Sequence, residues 1–190
     1  AYYNGEDFKT ADSAFAAILK RNPTYVPAYL WDARTYAKMD PDTKLGLAKP
    51  KFEKVVEVAK SDSLKWESEL MESFGYLGYY HLKRENYNDA NQWYDRIITI
   101  DPENEEYLVK GYSGKANVAF MMSELAKELD AKLPYFDRSI SYYAKALESD
   151  PGNQNIRSSM DYVIAVKKNT MSHINPNELK GTVKDAGGKP

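Results

Sequence analysis

The stretch that decides the fold runs from residue 71 to residue 104 and reads MESFGYLGYYHLKRENYNDANQWYDRIITIDPEN. Aromatic, small and apolar residues recur in it at the three- and four-residue spacing of one face of an α-helix. A proline near its end disfavours helix in the residue before it. The stretch therefore predicts two α-helices and a stop. The residues that carry the pattern are Phe74, Leu77, Gly78, His81, Tyr87, Ala90, Tyr94, Ile97 and Pro102.

These intervals resemble the tetratricopeptide repeat, in which an aromatic precedes Leu-Gly and Tyr, and Ala, an aromatic and a closing Pro follow. Every interval from Phe74 to Pro102 fits, and only the Tyr position is changed, to His81. The resemblance implies a pair of antiparallel helices that must stack on similar neighbours to bury its apolar face. It also implies a long concave surface.

Partial copies of the pattern flank this stretch. They predict an all-α fold: an α-solenoid of antiparallel helix pairs with a C-terminal capping helix. The first copy holds only the second half of the pattern, so we expect Ala1 to be a truncation or processing point. The copies are carried by Tyr2, Phe8, Ala11, Phe15, Ile18 and Pro23, by Tyr29, Ala33, Tyr36 and Phe52, and by Phe136, Tyr143, Ala146 and Pro151.

The predicted helical domain covers residues 1–174, with repeats at 1–25, 26–70, 71–104 and 105–153 and a capping helix at 154–170. The closing positions Pro23, Glu67, Pro102 and Pro151 are 44, 35 and 49 residues apart, against a family period of about 34. The extra residues are therefore expected between the two helices of repeats two and four.

The second helices of these two repeats are expected to open alike, at Pro50 and Pro134, because proline is favourable at the first helical position. An alternative alignment places Ala48 in the small-residue position of repeat two. We favour the first alignment because it needs fewer insertions and explains Pro50.

Local signals also predict where three helices begin and end. Ser61-Asp62-Ser63 offers an N-cap for a helix that continues to about Arg84. The first helix of repeat four is expected from about Glu105 to Asp130. The capping helix is expected from Gln154 to Thr170, with a stripe formed by Ile156, Met160, Val163, Ile164 and Lys167.

Residues 175–190 change character and are predicted to be a linker or tail. From Gly181 to Pro190 the spacing Gly-x-Val-x-Asp-x-x-Gly-x-Pro resembles the opening of a carboxypeptidase-regulatory-like β-sandwich, a module common in bacterial envelope proteins. The alternative is a disordered tail. The combination resembles repeat proteins of Bacteroidetes-type bacteria, so we expect a bacterial periplasm or cell envelope location, with the cytoplasm as the alternative.

Composition excludes several classes of function. The chain has 190 residues, 43% hydrophobic and 28% charged, with a net charge of −2, and nucleic-acid grooves need a basic stripe. It contains no cysteine, which rules out disulfides and thiolate metal sites. No apolar run approaches the roughly 20 residues that cross a bilayer. We expect neither a nucleic-acid partner nor a membrane span.

No group of residues suggests catalysis, a metal or a cofactor. His81 occupies a helix-packing position, and His173 is distant in sequence. Ser113 has no histidine nearby that could activate it. The segment from Asp40 to Thr43 suggests a capped turn rather than a cation site, because it lacks the other ligands and the glycine of a calcium loop. The chain is predicted not to be an enzyme.

The resemblance also implies which residues line the groove. The positions where chaperone-binding members place Lys and Asn hold other residues here, so chaperone-tail recognition is not expected. The mixed aromatic, aliphatic and cationic groove suits an extended or helical segment with some acidic character. The implied groove residues are Tyr3 and Asn4, then Leu30, Arg34 and Lys38, then Gly75, Tyr79 and Lys83, and finally Val109, Ser113 and Asn117.

These observations predict a non-catalytic scaffold or adaptor that binds a protein or peptide segment in its concave groove. One alternative is a self-assembling structural subunit of a cell-envelope complex, and hence a homo-oligomer. Another is the regulatory arm of an enzyme whose catalytic domain lies outside this chain.

Overall fold

The structure is a computed structural model that describes residues 7–172. Within this range there are eight α-helices, one short 3-10 helix and no strand. Tyr3, Asn4, His173 and the tail at 175–190 lie outside the described residues. The helices are α1 Phe8–Arg21, α2 Val26–Met39, α3 Lys49–Ala59, α4 Glu67–Leu82, α5 Tyr87–Ile100, α6 Glu105–Leu125, α7 Leu129–Ser149 and α8 Gln154–Ser172, with the 3-10 helix at Lys60–Asp62.

The helices form a stack in chain order. Each packs against the next along the chain, from α1 on α2 to α7 on α8, and α4 also touches both α2 and α6. Contacts confined to near neighbours are the property of a solenoid, in which each repeat buries the apolar face of the adjoining one. The expected all-α solenoid is confirmed. Among residues 7–172, no helix has both the length and the apolar character needed to cross a membrane.

The junction between α4, α5 and α6 explains the small residues of the repeat pattern. Tyr94 on α5 is 6% exposed, and its ring lies between Gly78 on α4 and Gly114 on α6. A Cβ atom at Gly78 would lie 2.8 Å from Tyr94 Cζ, and one at Gly114 would lie closer still. Both glycines therefore permit the close approach of three helices around one aromatic ring. Burial raises the pKa of Tyr94 to about 12.

The buried side chains form two apolar clusters. The larger joins α2 to α6 and contains Phe52 and Leu77, whereas the smaller joins α6 to α8 and contains Phe136 and Val163. On α8 the predicted stripe is wrong at Ile164, which is 42% exposed. It follows Val163 by one residue, about 100° around the helix, and so lies off the buried face.

Two predicted helix ends are wrong. The helix expected after Ser61-Asp62-Ser63 begins only at Glu67, because Lys60–Asp62 form a 3-10 turn that runs on from α3. The first helix of repeat four ends at Leu125 rather than Asp130. The residues from Leu129 onward belong instead to α7, whose first turn contains the acidic Asp130.

The extra residues of repeats two and four are placed differently, against expectation. In repeat two they lie outside the α-helices, at 40–48 and 60–66. In repeat four they lengthen both helices to 21 residues each, compared with 16 in α4 and 14 in α5. Pro50 lies in the first turn of α3 as predicted. Pro134 lies inside α7, so the expected common opening is wrong.

Burial supports the alternative alignment of repeat two. Ala48 and Val55 are 0% exposed and Phe52 is 2% exposed. Their spacing and burial match those of the corresponding residues of α5, which are 0%, 6% and 0% exposed: Ala90, Tyr94 and Ile97. Ala48 therefore occupies the small-residue position, and the extra residues of repeat two lie on both sides of α3.

Candidate functional site: a pocket on the first-helix face

The main candidate site is a cavity on the face formed by the first helices of the repeats. We name this cavity of about 730 Å³ the main pocket. Residues from α2, α4 and α6 line it, together with one residue each from α1 and α3 and the segment between α2 and α3. The lining residues are Phe8, Arg34, Ala37, Lys38, Pro41, Thr43, Phe52, Glu72, Tyr76, Tyr79 and Lys110.

Aromatic side chains give the main pocket its apolar character. Phe52 stacks on Tyr76 with ring centroids 4.1 Å apart and planes inclined by 20°. Burial raises the pKa of Tyr76 to about 12, which keeps its hydroxyl neutral. Tyr79 is 40% exposed, and the Lys83 ammonium lies 5.9 Å from its ring centroid. The pocket thus has a buried aromatic base and one tyrosine at its open side.

A two-point ion pair crosses the pocket from α2 to α4. Arg34 Nε donates to Glu72 Oε1 at 2.7 Å and Arg34 Nη2 donates to Glu72 Oε2 at 2.5 Å. The Arg34 guanidinium also lies 4.5 Å from the Trp31 ring centroid. Both ionic side chains are about a third exposed, so the pair contributes about 1 kcal/mol or less to stability. Arg34 is thus neutralised within the protein.

Sequence reasoning missed Glu72, although a signal for it was present. Glu72, Tyr76, Tyr79 and Lys83 follow one another at three- and four-residue steps along α4. This spacing places them on one face of the helix. The repeat pattern directed attention to Gly75 instead, which lies against the Lys110 side chain: a Cβ there would meet Lys110 Cε at 2.8 Å.

Lys110 is the residue that α6 contributes to the pocket. Its Nζ lies 3.1 Å from Met71 Sδ. The residue as a whole is exposed, but crowding around the ammonium removes water and lowers the pKa of Lys110, an effect that Glu72 and Glu106 partly oppose. The sequence analysis expected Val109, one residue earlier, to be the groove residue of this helix. Val109 is half-buried and packs on the cluster of α6, α7 and α8.

The segment at residues 40–48, which we name the wall loop, forms one side of the main pocket. The Asp40 carboxylate accepts hydrogen bonds from the backbone amides of Leu45, Gly46 and Leu47 at 3.2, 2.7 and 3.3 Å. Desolvation by itself would raise the pKa of Asp40, but these backbone amides outweigh it and the pKa is lowered. The loop is therefore held in one conformation by its own first residue.

Arg84, which follows α4, fastens the wall loop to the next repeat. Its Nη2 donates to the carbonyl oxygen of Thr43 at 2.7 Å and to that of Lys44 at 3.3 Å. Its guanidinium lies 3.8 Å from the Tyr80 ring centroid. Gly46 adopts the left-handed conformation with φ 71°, and a Cβ there would lie 3.1 Å from Tyr80 Oη.

Thr43 lies where two cavities adjoin. It lines the main pocket and also a second cavity of about 600 Å³, which we name the cationic pocket. The cationic pocket is lined by Asp42, Thr43, Lys44, Lys83 and Arg84. Thr43 itself is 2% exposed, and no described residue forms a hydrogen bond with its Oγ1.

The structure brings together some of the predicted groove residues. Arg34, Lys38 and Tyr79 line the main pocket, and Lys83 lines the cationic pocket. Leu30 is 5% exposed and belongs to the larger apolar cluster, so its predicted place on the groove surface is wrong.

Two further predicted groove residues, Ser113 and Asn117, line neither pocket. Ser113 is half-buried, and Asn117 is exposed. Asn117 Oδ1 accepts a hydrogen bond from the Tyr143 hydroxyl at 2.6 Å, which connects it to α7. Tyr3 lies outside the described residues.

The described residues contain no group of three or more His, Cys, Asp or Glu side chains that could hold a metal ion. His81 packs with its ring edge-on to Tyr80, at 5.3 Å between centroids, and its Nδ1 lies 3.4 Å from Asp89 Oδ2. Burial lowers the pKa of His81, which favours the neutral ring. These contacts place it between helices, away from both pockets.

Comparisons with known proteins agree with this architecture. No family profile matches the chain, and no curated protein matches it. Among solved structures, the chain is similar to the C-terminal part of a TPR repeat-containing protein from Cytophaga hutchinsonii, with 37% sequence identity and a TM-score of 0.53. The match covers 57% of this chain and 42% of the other. The chain therefore spans less than half of that structure's length.

Proposed function

Because the chain is a tetratricopeptide-like repeat protein, we propose that it is a non-catalytic scaffold or adaptor that binds a segment of a partner protein in the main pocket. The observation that carries this proposal is the pocket itself, which three successive first helices line together. A surface composed from several repeats is how solenoids present binding sites to extended partners.

The chemistry of the pocket supports binding. Tyr76 and Tyr79 offer wide contact surfaces with few rotatable bonds, and tyrosine is enriched where partners bind most tightly. Lys38 and Lys110 add positive charge at the same site. The one carboxylate among the lining residues, Glu72, is paired with Arg34. The pocket therefore favours a partner segment with apolar and acidic side chains.

The same lining supports a role without catalysis. It contains neither histidine nor cysteine, and its one aliphatic hydroxyl belongs to Thr43. Nucleophilic catalysis needs a nucleophile within hydrogen-bond reach of a base. The charged side chains Arg34 and Glu72 instead hold each other.

A matched pair of double variants tests the proposal. Lys38→Glu with Tyr79→Ala alters the pocket. Lys20→Glu with Tyr25→Ala makes the same changes near the other end of α2, where Tyr25 is 42% exposed, compared with 40% for Tyr79. Each protein is used to capture partners from an extract of the cells that produce it, followed by mass spectrometry.

We expect a set of partners retained by the unchanged protein and the control variant but lost from the pocket variant. Circular dichroism should show equal helical content in all three. If the pocket variant retains the same partners as the control, the main pocket is not the binding site and the proposal fails.

A second candidate function is self-association into a structural assembly. Apolar side chains are exposed at both ends of the described stack: Ile18 on α1 is 42% exposed, and Tyr162 and Ile164 on α8 are 61% and 42% exposed. Contact between unlike ends of two copies would cover them. Light scattering across a range of protein concentrations tests this, because a constant monomer mass counts against assembly.

For the compartment we propose the bacterial periplasm or cell envelope. The support is the absence of cysteine and the resemblance of residues 181–190 to the opening of an envelope β-sandwich. Fractionation of the producing cells tests the location, and recovery of the protein with the cytoplasmic fraction would contradict it.

A further inference from the structure

We infer that the wall loop divides the binding site into an apolar chamber and a cationic chamber, so that the site selects a segment in which an apolar side chain lies beside carboxylates. This inference rests on the proposed function and specifies its ligand. The two chambers are the main pocket and the cationic pocket, and Thr43 lines both.

The main pocket suits the apolar side chain. Its base is the stacked pair of Phe52 and Tyr76, and Phe8 and Ala37 contribute further apolar surface. Because Arg34 and Glu72 neutralise each other through two hydrogen bonds, their charges offer little to a ligand. Burial of an apolar side chain against this base is therefore the favourable interaction that the chamber provides.

The cationic pocket suits the carboxylates. Lys44, Lys83 and Arg84 line it with one acidic residue, Asp42, whose Oδ2 lies 3.2 Å from Lys44 Nζ. The described hydrogen bonds of Arg84 use its Nη2, so Nε and Nη1 remain for a ligand. These two groups point in different directions, so each can donate singly to a carboxylate, in a charge-assisted hydrogen bond that is stronger than one between neutral groups. The excess positive charge complements an acidic segment.

Thr43 is held between the chambers in an unfavourable conformation. Its φ is 58°, a left-handed value that is unusual for a residue branched at Cβ. Such strain persists where surrounding contacts over-determine the backbone, and it concentrates at ligand sites. Here Arg84 holds the Thr43 carbonyl and Asp40 holds the following amides. The Thr43 hydroxyl, which has no described hydrogen-bond partner, is thereby held at the boundary of both chambers.

The test uses three fluorescein-labelled peptides and fluorescence anisotropy. The first is Ser-Asp-Asp-Gly-Phe-Gly-Asp-Asp-Ser, with acidic residues on both sides so that either chain direction can bind. The second replaces Phe by Ser, and the third replaces every Asp by Asn. We expect the first peptide to bind at least about tenfold more tightly than either of the others, as pocket selectivity for an apolar side chain allows.

Two variants assign the selectivity to the chambers. Lys44→Gln with Lys83→Gln should weaken the preference for Asp over Asn, with Arg84 still present, while keeping the preference for Phe over Ser. The control, Lys127→Gln with Lys168→Gln, removes two exposed charges near the other end of the stack and should keep both preferences. Thr43→Gly relieves the strained backbone, so its melting temperature should equal or exceed that of the unchanged protein while its affinity for the first peptide falls.

The outcomes separate this inference from the proposed function. Equal affinity for all three peptides, or no binding of any of them, overturns the inference even where partner capture still depends on Lys38 and Tyr79. A Thr43→Gly variant that binds the first peptide with full affinity also overturns the role of the wall loop. Failure of the capture experiment is a different result, because it would show that the main pocket is not the binding site and would overturn the proposed function.

Discussion

Repeats two and four both contain more residues than the repeat between them, yet they use the surplus in opposite ways. Repeat two keeps α3 short, at 11 residues, and places its surplus in the wall loop and in the segment before α4. Repeat four builds 21-residue helices joined by three residues, 126–128. The first solution creates a pocket wall, and the second extends the helical framework.

The difference follows from local composition. Residues 40–46 read DPDTKLG, whereas residues 126–134 read AKELDAKLP. Asp, Pro, Thr and Gly favour turns because their side chains compete with helical hydrogen bonds or fix the backbone. Ala, Lys, Glu and Leu are the better helix formers. A surplus in repeat length therefore predicts an insertion without predicting its structure.

The largest expected effect concerns the phenylalanine that lies two residues after Pro50 in repeat two and after Pro134 in repeat four. Phe136 is 0% exposed and Phe52 is 2% exposed, so Phe136→Ala and Phe52→Ala should each lower the free energy of unfolding by about 3 to 5 kcal/mol. Because Phe52 also forms the base of the main pocket, only its substitution should weaken peptide binding.

Urea unfolding and peptide titration, below the midpoint of unfolding, measure the two effects. Equal loss of peptide binding in both variants would contradict the assignment of the main pocket to repeat two rather than repeat four. A loss below about 1 kcal/mol at Phe136 would contradict its placement in the core.

Smaller effects on stability are expected at Pro134 and Pro50, and they should have opposite signs. Pro134 lies inside α7, where it removes a helical donor, so Pro134→Ala should raise the free energy of unfolding by about 1 to 3 kcal/mol. Pro50 lies in the first turn of α3, where its missing donor has no helical partner. Pro50→Ala should lower stability by about 0.4 to 1 kcal/mol through the freer unfolded chain.

Thermal and urea unfolding of the two proline variants provide the comparison. Changes of the same sign in both would contradict the different helical positions of the two prolines and would favour the common opening expected from sequence.

The smallest expected effect is a local dependence on pH. Because the folded-state pKa of Asp40 is lowered, its contribution to stability is present above the unfolded pKa of about 3.9 and is lost as the pH falls through the folded value. The amides of Leu45, Gly46 and Leu47 should then exchange with solvent more readily relative to those of α7. Repeat four has no corresponding carboxylate-held loop.

Amide hydrogen exchange followed by NMR from pH 6 to pH 2 measures this, with Asp40→Asn as the control. In the control the three amides should be weakly protected throughout, without a pH-dependent step. Protection that is unchanged at low pH in the original protein would contradict the role of the ionised carboxylate.

The candidate site was predicted in part. Arg34, Lys38 and Tyr79 were assigned to the groove from repeat positions alone, because a helical face follows from spacing. Lys110 was missed by one residue, because the repeat pattern indicated Val109, which instead packs on the cluster of α6, α7 and α8. The pairing of Arg34 with Glu72 joins residues 38 positions apart, and the sequence does not state which side chains meet across neighbouring repeats.

The sequence by itself determined the architecture, because aromatic, small and proline residues at fixed steps dictate which helical faces are apolar and where helices stop. Only the tertiary structure decided where the surplus residues lie, that Leu30 is buried, and that Thr43 lines two cavities. These features depend on contacts between residues distant in sequence, such as Arg84 with the wall loop. Such contacts form only after the helices have stacked, and no local spacing encodes them.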